Sequence, residues 1–300
     1  MSTNLWKDSF RIGNAEIDAQ HHMLFEKIEY LVDIAKSGDA ETKRQECLET
    51  IDFLVFYTTK HFEAEEALMK KVSYVSFEQH ANIHAQFKNT AAAYQKKLRE
   101  DYSEHALQYF IGTLMTWLVT HVCGCDQKIM RNDHLQPDFS ATKSGEVIPA
   151  VLKHIFTDMY GIQIQKVTPC MYKGFVDGKV FVYTTAEGEQ KYSFVYGMSE
   201  ELAKKLYNAI SGMDILDIDQ LNPIEQSALM EMSDIISSYI LCADDANTLS
   251  KLKMQHTIIM DEFTMENLKF KSNLLLNIQT DCGTLEVLCG YPQETVKGTL

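Results

Sequence analysis

Seven side chains in the first half of the chain have the types and spacing of metal ligands. His61 and Glu65 lie four residues apart in His61-Phe62-Glu63-Ala64-Glu65, and His80 and His84 lie four apart in His80-Ala81-Asn82-Ile83-His84. Residues i and i+4 are about 40° apart around a helix, so each pair turns two donors to one side. His21, in Ile17-Asp18-Ala19-Gln20-His21, and His121 with Asp126, in His121-Val122-Cys123-Gly124-Cys125-Asp126, frame these pairs. Four helical segments would then each direct ligands inward, which is how bundle cores build metal sites. A single histidine on a helix is ordinarily a surface or hydrogen-bonded core residue. Five histidines and two carboxylates on four amphipathic segments form a joint pattern that solvated faces do not produce.

Counting donors narrows the chemistry. Five imidazole nitrogens and two bridging carboxylates supply about nine donor atoms, and an oxo or hydroxo bridge raises this to roughly eleven. Two six-coordinate ions need about twelve, which leaves one position for a small ligand such as O2. Mixed imidazole and carboxylate donors suit Fe, Mn or Zn, and an oxygen site favours a redox-active metal, hence iron.

The elements that must position these residues are legible as periodicity. Residues 18–36 carry Leu24, Ile28, Leu31, Val32 and Ala35 at helical spacing; a second helix runs from about Ala40 to Lys71, and a third from about Ser76 to Arg99. Asp101 or Ser103 can cap a fourth, which carries Leu107, Phe110, Leu114, Trp117, Leu118 and His121. Short polar connections between four long helices predict an up-down-up-down bundle. His121 and Asp126 are five apart, about 140° around an ideal helix, so both face the core only if the helix deforms, for example through a π-bulge at Gly124. Cys123 and Cys125 flank that glycine and read as buried thiols, with a redox-reporting role for Cys125 as the alternative.

The pattern changes after Asn132. The sequence divides into a bundle over residues 1–136, a polar, turn-rich linker over 137–145, and a mixed α+β domain over 146–300. Beyond the linker the expected elements are a helix over Pro149–Tyr160, a hairpin signal at Asp177-Gly178 within Phe175–Val182, and a strand at Lys191–Tyr196. Two further helices follow, one capped by Ser199 and running to Ile210, the other opened by Asn222-Pro223 and running to about Leu241. The polar stretch Asp244–Gln255 reads as a loop, ahead of strands at His256–Met260, Leu274–Ile278 and Leu285–Leu288. The fold class is therefore multidomain: an all-α four-helix bundle followed by α+β.

Bulk properties exclude several classes. A net charge of −14 argues against nucleic-acid or acidic-membrane partners, which need clustered Lys and Arg. No apolar run approaches the roughly 20 residues that span a bilayer. The first residues lack the apolar core of a secretory signal, and seven scattered cysteines suit reduced thiols, so a cytoplasmic location is expected.

The combination Trp6…Gly13-Asn14…Ile17-Asp18-Ala19-Gln20-His21, His61-x-x-x-Glu65, His80-x-x-x-His84 and His121-x-x-x-x-Asp126 resembles the bacterial hemerythrin family over about residues 1–132. The resemblance implies a non-haem di-iron centre that binds O2 reversibly. By position, His80, His84 and His121 would hold the six-coordinate iron and His21 and His61 the five-coordinate one, with Glu65 and Asp126 bridging. His22 is left outside the set.

The second domain resembles the CheX/CheC family of response-regulator phosphatases over about residues 146–291. The evidence is the order of its elements, Gly178-Lys179-Val180, Met198-Ser199-Glu200-Glu201-Leu202-Ala203 and Ser227-x-x-x-Glu231-x-x-Asp234. That family carries Glu-x-x-Asn on the helix: the glutamate pairs with a lysine of the phosphorylated regulator, and the asparagine orients the attacking water. Glu231 matches, but Asp234 stands at the asparagine position, and an ionised carboxylate only accepts hydrogen bonds. The combined expectation is an oxygen or redox sensor whose second domain binds, and can dephosphorylate, a CheY-like response regulator, with a homodimer implied by the family. Rival readings are an O2 or iron store with an inert second domain, and a di-iron peroxide or nitric-oxide reductase. Five histidines with only two carboxylates favour reversible binding over oxidation chemistry, because carboxylate-rich di-iron bundle sites stand on four Glu and two His.

Overall fold

Helix α1 (Ala15–Lys36) begins three residues ahead of its expected start because Asn14 caps it. The Asn14 Oδ1 accepts from the amides of Glu16 and Ile17 at 3.1 and 3.2 Å, satisfying two of the donors every helix N-terminus leaves open. Just before it, Ile12 N donates to buried Asp18 Oδ1 at 2.7 Å and fixes how the chain enters the helix. Helices α2 (Ala40–Lys71), α3 (Phe77–Glu100) and α4 (Glu104–His121) follow with the expected spans. Of the two candidate caps for α4, Ser103 acts: its Oγ accepts from Ala106 N at 3.1 Å. Each helix packs on its chain neighbours and α1 closes the ring on α4. The core between them is built from Leu24, Phe25, Ile28, Leu31, Ile51, Leu54, Leu107, Phe110, Ile111 and Leu114.

This computed structural model describes residues 5–36, 39–135, 146–173, 175, 178–187, 191–242, 253–260 and 274–290. The expected linker, 137–145, lies outside the described residues. The chain divides into two compact units. The first is Met1–Asp138 with Ala209–Met213 and Asn222–Ala228; the second is Phe139–Asn208, Asp214–Leu221 and Leu229–Leu300. Helix α4 with its continuation, Glu104–Ile129, is long and apolar enough by composition to cross a membrane, which the run-length reading missed. In the structure 78% of that window is buried, as suits the central helix of a core.

After α4 come a π-helical turn at Val122–Asp126 and a short helix α5 (Gln127–Ile129). The next helix, α6 (Val147–Lys153), gives way to a second π-helical turn at His154–Met159, where the sequence reads as plain helix. The sheet has six strands: β1 (Ile164–Met171), β2 (Val180–Glu187), β3 (Lys191–Met198), β4 (Lys253–Met260), β5 (Leu274–Thr280) and β6 (Gly283–Gly290). Their order is β1-β5-β6-β3-β2-β4 and every pairing is antiparallel.

In the sheet the expectations and the structure differ at several points. The hairpin signal Asp177-Gly178 is not tested, since Asp177 lies outside the described residues; β2 pairs with β3, in register from Val180↔Met198 to Glu187↔Lys191. The buried alternation Val180, Val182, Thr184, Ala186 carries β2 beyond Val182, to Glu187. Strand β1 was not anticipated, since its largely exposed residues give no apolar pattern; it is an edge strand, and its Pro169 is tolerated there. The loop expected over Asp244–Gln255 ends early, as Lys253 already belongs to β4; residues 243–252 lie outside the described residues.

Helices α7 (Glu200–Ser211) and α8 (Pro223–Cys242) complete this part of the chain. At the start of α8, Asn222 Oδ1 accepts from Ile224 N and Glu225 N while Glu225 Oε2 accepts from Asn222 N, a reciprocal capping box. Tyr196 of β3 and Ser237 of α8 share a buried hydroxyl contact of 2.6 Å. On the opposite face of the sheet Val195, Met260, Leu275 and Leu288 form a core covered by Tyr172 and Phe175. Gly197 permits that cover, because a Cβ there would stand 2.5 Å from the Phe175 ring.

Ser103→Ala removes the α4 cap and is expected to cost about 1 kcal/mol, read as a lowered midpoint in chemical denaturation.

Candidate functional site

The fold brings the seven sequence-selected side chains of the bundle into one interior cluster. His21 comes from α1, His61 and Glu65 from α2, His80 and His84 from α3, His121 from the end of α4 and Asp126 from the π-helical turn. None is more than 3% exposed. The π turn solves the five-residue spacing: Gln127 N–H reaches back to Val122 O, five residues away, and the wider turn swings Asp126 onto the side that His121 faces. His22 points elsewhere, 3.5 Å from Glu26 and half-exposed.

The cluster divides into two overlapping groups. Glu65, His80, His84, His121 and Asp126 form one; His21, His61, Glu65 and Asp126 form the other, with the donor atoms of each within 4.8 Å of one another. Both carboxylates belong to both groups. Asp126 faces each half with a different oxygen: Oδ1 is 3.1 Å from His80 Nε2 and 3.0 Å from His121 Nε2, while Oδ2 is 3.1 Å from His21 Nε2. Glu65 Oε2 lies 3.1 Å from His84 Nε2.

The donor atoms are turned on one another without being satisfied. His121 Nε2 stands 3.1 Å from His80 Nε2 and 3.0 Å from His84 Nε2. A single proton on it can serve only one of those neighbours, so lone pairs are left facing lone pairs. Both oxygens of Glu65, both of Asp126, and Nε2 of His21 and His61 are buried with no hydrogen bond of normal geometry. Unpaired buried polar groups of this density are costly. A cation within each group would satisfy them, and the imidazole-carboxylate donor set fits iron.

Electrostatics agree with that reading. Burial, with the neighbouring imidazoles, lowers His84 to about 2, and burial lowers His61 to about 3, so both are neutral ligands near pH 7. Burial acts the same way on His21 and His80, but the contact with Asp126 and its charge outweigh it and raise both. Asp126 is held well below the usual carboxylate range: burial opposes this, but His121 and the contacts from His21 and His80 prevail. The Cys123 thiol is pushed up to about 12 by burial, which makes it a poor nucleophile.

Two residues that sequence reasoning did not single out support the ligands. Gln20 Oε1 accepts from His61 Nδ1 at 2.9 Å, and Glu66 Oε1 accepts from His84 Nδ1 at 3.1 Å. Their signal was adjacency, since each sits beside a ligand in the sequence. Aromatic rings wall the cluster: Phe62 stacks on His84 at 3.8 Å, Trp117 on His121 at 4.3 Å, and Phe87 on Trp117 at 3.7 Å.

Glu231 and Asp234 lie together on α8, in the part of it that belongs to the second unit. Asp234 Oδ1 accepts from Thr184 of β2 at 2.6 Å and also from Thr257 of β4. Burial raises Asp234 to about 6 even against those two donors. Burial, then the Asp234 charge, raises Glu231 to about 8.

The hemerythrin HHE cation binding domain model matches residues 13–131. The chain is 30% identical over 158 residues to a bacteriohemerythrin of Stenotrophomonas maltophilia (strain R551-3), covering 52% of this chain and 99% of that protein. It is 29% identical over 123 residues to a myohemerythrin of Theromyzon tessulatum, covering 41% of this chain and 88% of that one. Among solved structures, it is similar to a chemotaxis protein CheX from Desulfovibrio desulfuricans (18% identity, TM-score 0.36, 48% of this chain and 96% of that one). It is also similar to a chain of the CheX-CheY-BeF3-Mg complex from Borrelia burgdorferi (17% identity, TM-score 0.37, 49% and 94%).

Glu231 yields a pH-dependent outcome. Its folded value lies above the ordinary 4.5, so the stability it contributes is complete below about pH 4.5 and is lost as pH rises to about 8. Between about pH 5 and 8.5 the thermal midpoint should therefore fall further in the wild type than in Glu231→Gln, measured by calorimetry.

Proposed function

Because the chain belongs to the hemerythrin family through its first unit, we propose that His21, His61, Glu65, His80, His84, His121 and Asp126 hold two irons and that the chain senses oxygen or redox state. The observation that carries this reading is the pair of overlapping ligand groups that share both carboxylates. The bound iron pair would supply reversible O2 binding. The protein supplies the asymmetry: three histidines serve one half and two the other, so the second half has room for a small ligand. Gln20 and Glu66 keep the proton of His61 and His84 on Nδ1, leaving each Nε2 bare toward the cluster. Phe62, Phe87 and Trp117 present apolar faces that exclude bulk water from the donors.

Purified chain should contain about two irons and, after anaerobic reduction, gain a visible charge-transfer band in air that is lost again on removing O2. Zinc, or a featureless spectrum in the iron-loaded protein, would overturn the reading. Immediate substrate turnover by the oxygenated form would favour the reductase instead.

The second unit we read as a binding module for a phosphorylated CheY-like response regulator, on the strength of its sequence resemblance to CheX/CheC and the placement of Glu231 and Asp234 together on α8. Thr184 and Thr257 already occupy Asp234 Oδ1. An asparagine could accept the same two hydroxyls through its carbonyl oxygen and keep its amide N–H group free to donate. The ionised aspartate has no donor to offer and adds repulsion toward a phosphoryl group. Binding without appreciable hydrolysis is therefore the behaviour of the chain as it stands. Asp234→Asn should accelerate regulator dephosphorylation by roughly 100-fold, the scale of one added donor, in a phosphate-release assay; no acceleration would remove the phosphatase part of the reading. The sensor reading further requires that regulator affinity differ between the reduced and the oxygenated protein.

A further inference from the structure

The two ligand groups are alike in sharing Glu65 and Asp126, yet the side chains behind them differ in charge. Behind His84 stands Glu66, whose side chain is 25% exposed and whose Oε1 lies 3.1 Å from His84 Nδ1. Behind His61 stands Gln20, at 2.9 Å from His61 Nδ1. Nδ1 of His21, His80 and His121 has no hydrogen-bond partner among the described residues. Each group therefore contains one backed histidine, supported by a carboxylate in one case and by a neutral amide in the other.

We propose that Glu66 and Gln20 are positioning residues that make the two metal positions unequal in affinity, with the tighter one in the group containing His84. Both acceptors fix the proton on Nδ1 and leave Nε2 as the donor. They differ in what else they do. A carboxylate attracts the Nδ1 proton strongly and drives electron density toward Nε2, so Glu66 strengthens the His84 Nε2 as a metal donor. The amide of Gln20 orients His61 without that gain. Neither residue is among the ligands; Gln20 acts from α1 on a histidine of α2, and Glu66 acts from α2 on a histidine of α3. Both are only half-buried, so substituting them opens no cavity at the cluster.

This inference rests on the metal-centre reading above, and the experiment separates the two. Stepwise Co(II) titration of the metal-free full chain, followed by the cobalt visible spectrum, should show two unequal steps in the wild type. Glu66→Ala should weaken the tighter step by about 10- to 100-fold and leave the other within about threefold. Glu66→Gln, which keeps an acceptor but not the charge, should fall between. Gln20→Glu should bring the two steps together. A second readout needs no metal: nitrogen NMR of the metal-free chain should show His84 as the single Nδ1–H tautomer, mixed in Glu66→Ala and restored in Glu66→Gln, with His61 unchanged in both. Equal weakening of both steps, or a His84 tautomer indifferent to Glu66, overturns the proposal alone. A wild type that takes up no metal overturns the metal-centre reading and this inference together.

Discussion

Two carboxylates and five imidazoles sit at the centre of an apolar bundle with almost no solvent contact, and the first unit is organised around that fact. Taking ionised groups out of water is expensive unless they are paired, hydrogen-bonded or bound to a cation. Here the mutual contacts are close, 3.0–3.1 Å, but the protons available cannot satisfy every lone pair. The opposite directions in which His61 and His84, against His21 and His80, are shifted show the compromise. His21 and His80, which contact Asp126, are shifted up, whereas burial prevails at His61 and His84 and shifts them down. A divalent or trivalent ion held by these donors would replace that compromise with coordination.

The same constraint explains the local backbone. A regular helix after His121 would carry Asp126 about 140° away from it and bury one carboxylate in the wrong place. The π-helical turn over Val122–Asp126 inserts the needed rotation within one element, so two ligands from a single strand of chain can close both ligand groups. Capping at Asn14 and Ser103 holds the ends of the helices on which that geometry depends. Aromatic stacking on His84 and His121 then restricts the ring rotations that hydrogen bonds to Nδ1 leave free.

A different economy governs the sheet-bearing unit. Asp234 is satisfied by hydroxyls from β2 and β4, neighbouring strands separated by some seventy residues of chain, so the acid ties the edge of the sheet to α8. Such a network leaves one carboxylate oxygen for other work. Among the described residues Glu231 has no comparable support, and burial shifts it toward its neutral form. The pair is thus chemically divided, one acid held in place and one available.

Local sequence determined the helical half well, because helix signals are local: apolar residues at a 3.6-residue period, a Ser or Asn at the start, ligands at i and i+4. The same locality made the seven candidate ligands readable, and it even exposed the need for a π-bulge, since a five-residue spacing conflicts with a regular turn. It served the sheet less well. Strand β1 has no apolar alternation because an edge strand buries little, and β2 runs past Val182 because its buried alternation continues to Ala186. Which oxygen of Asp126 faces His21 and which faces His80, which polar neighbour stands behind His61 and His84, and what Asp234 touches all depend on contacts between residues at least 18 positions apart. Spacing along the chain fixed which donors share a helix face. Only the packing of helices and the order of strands decided which of them meet.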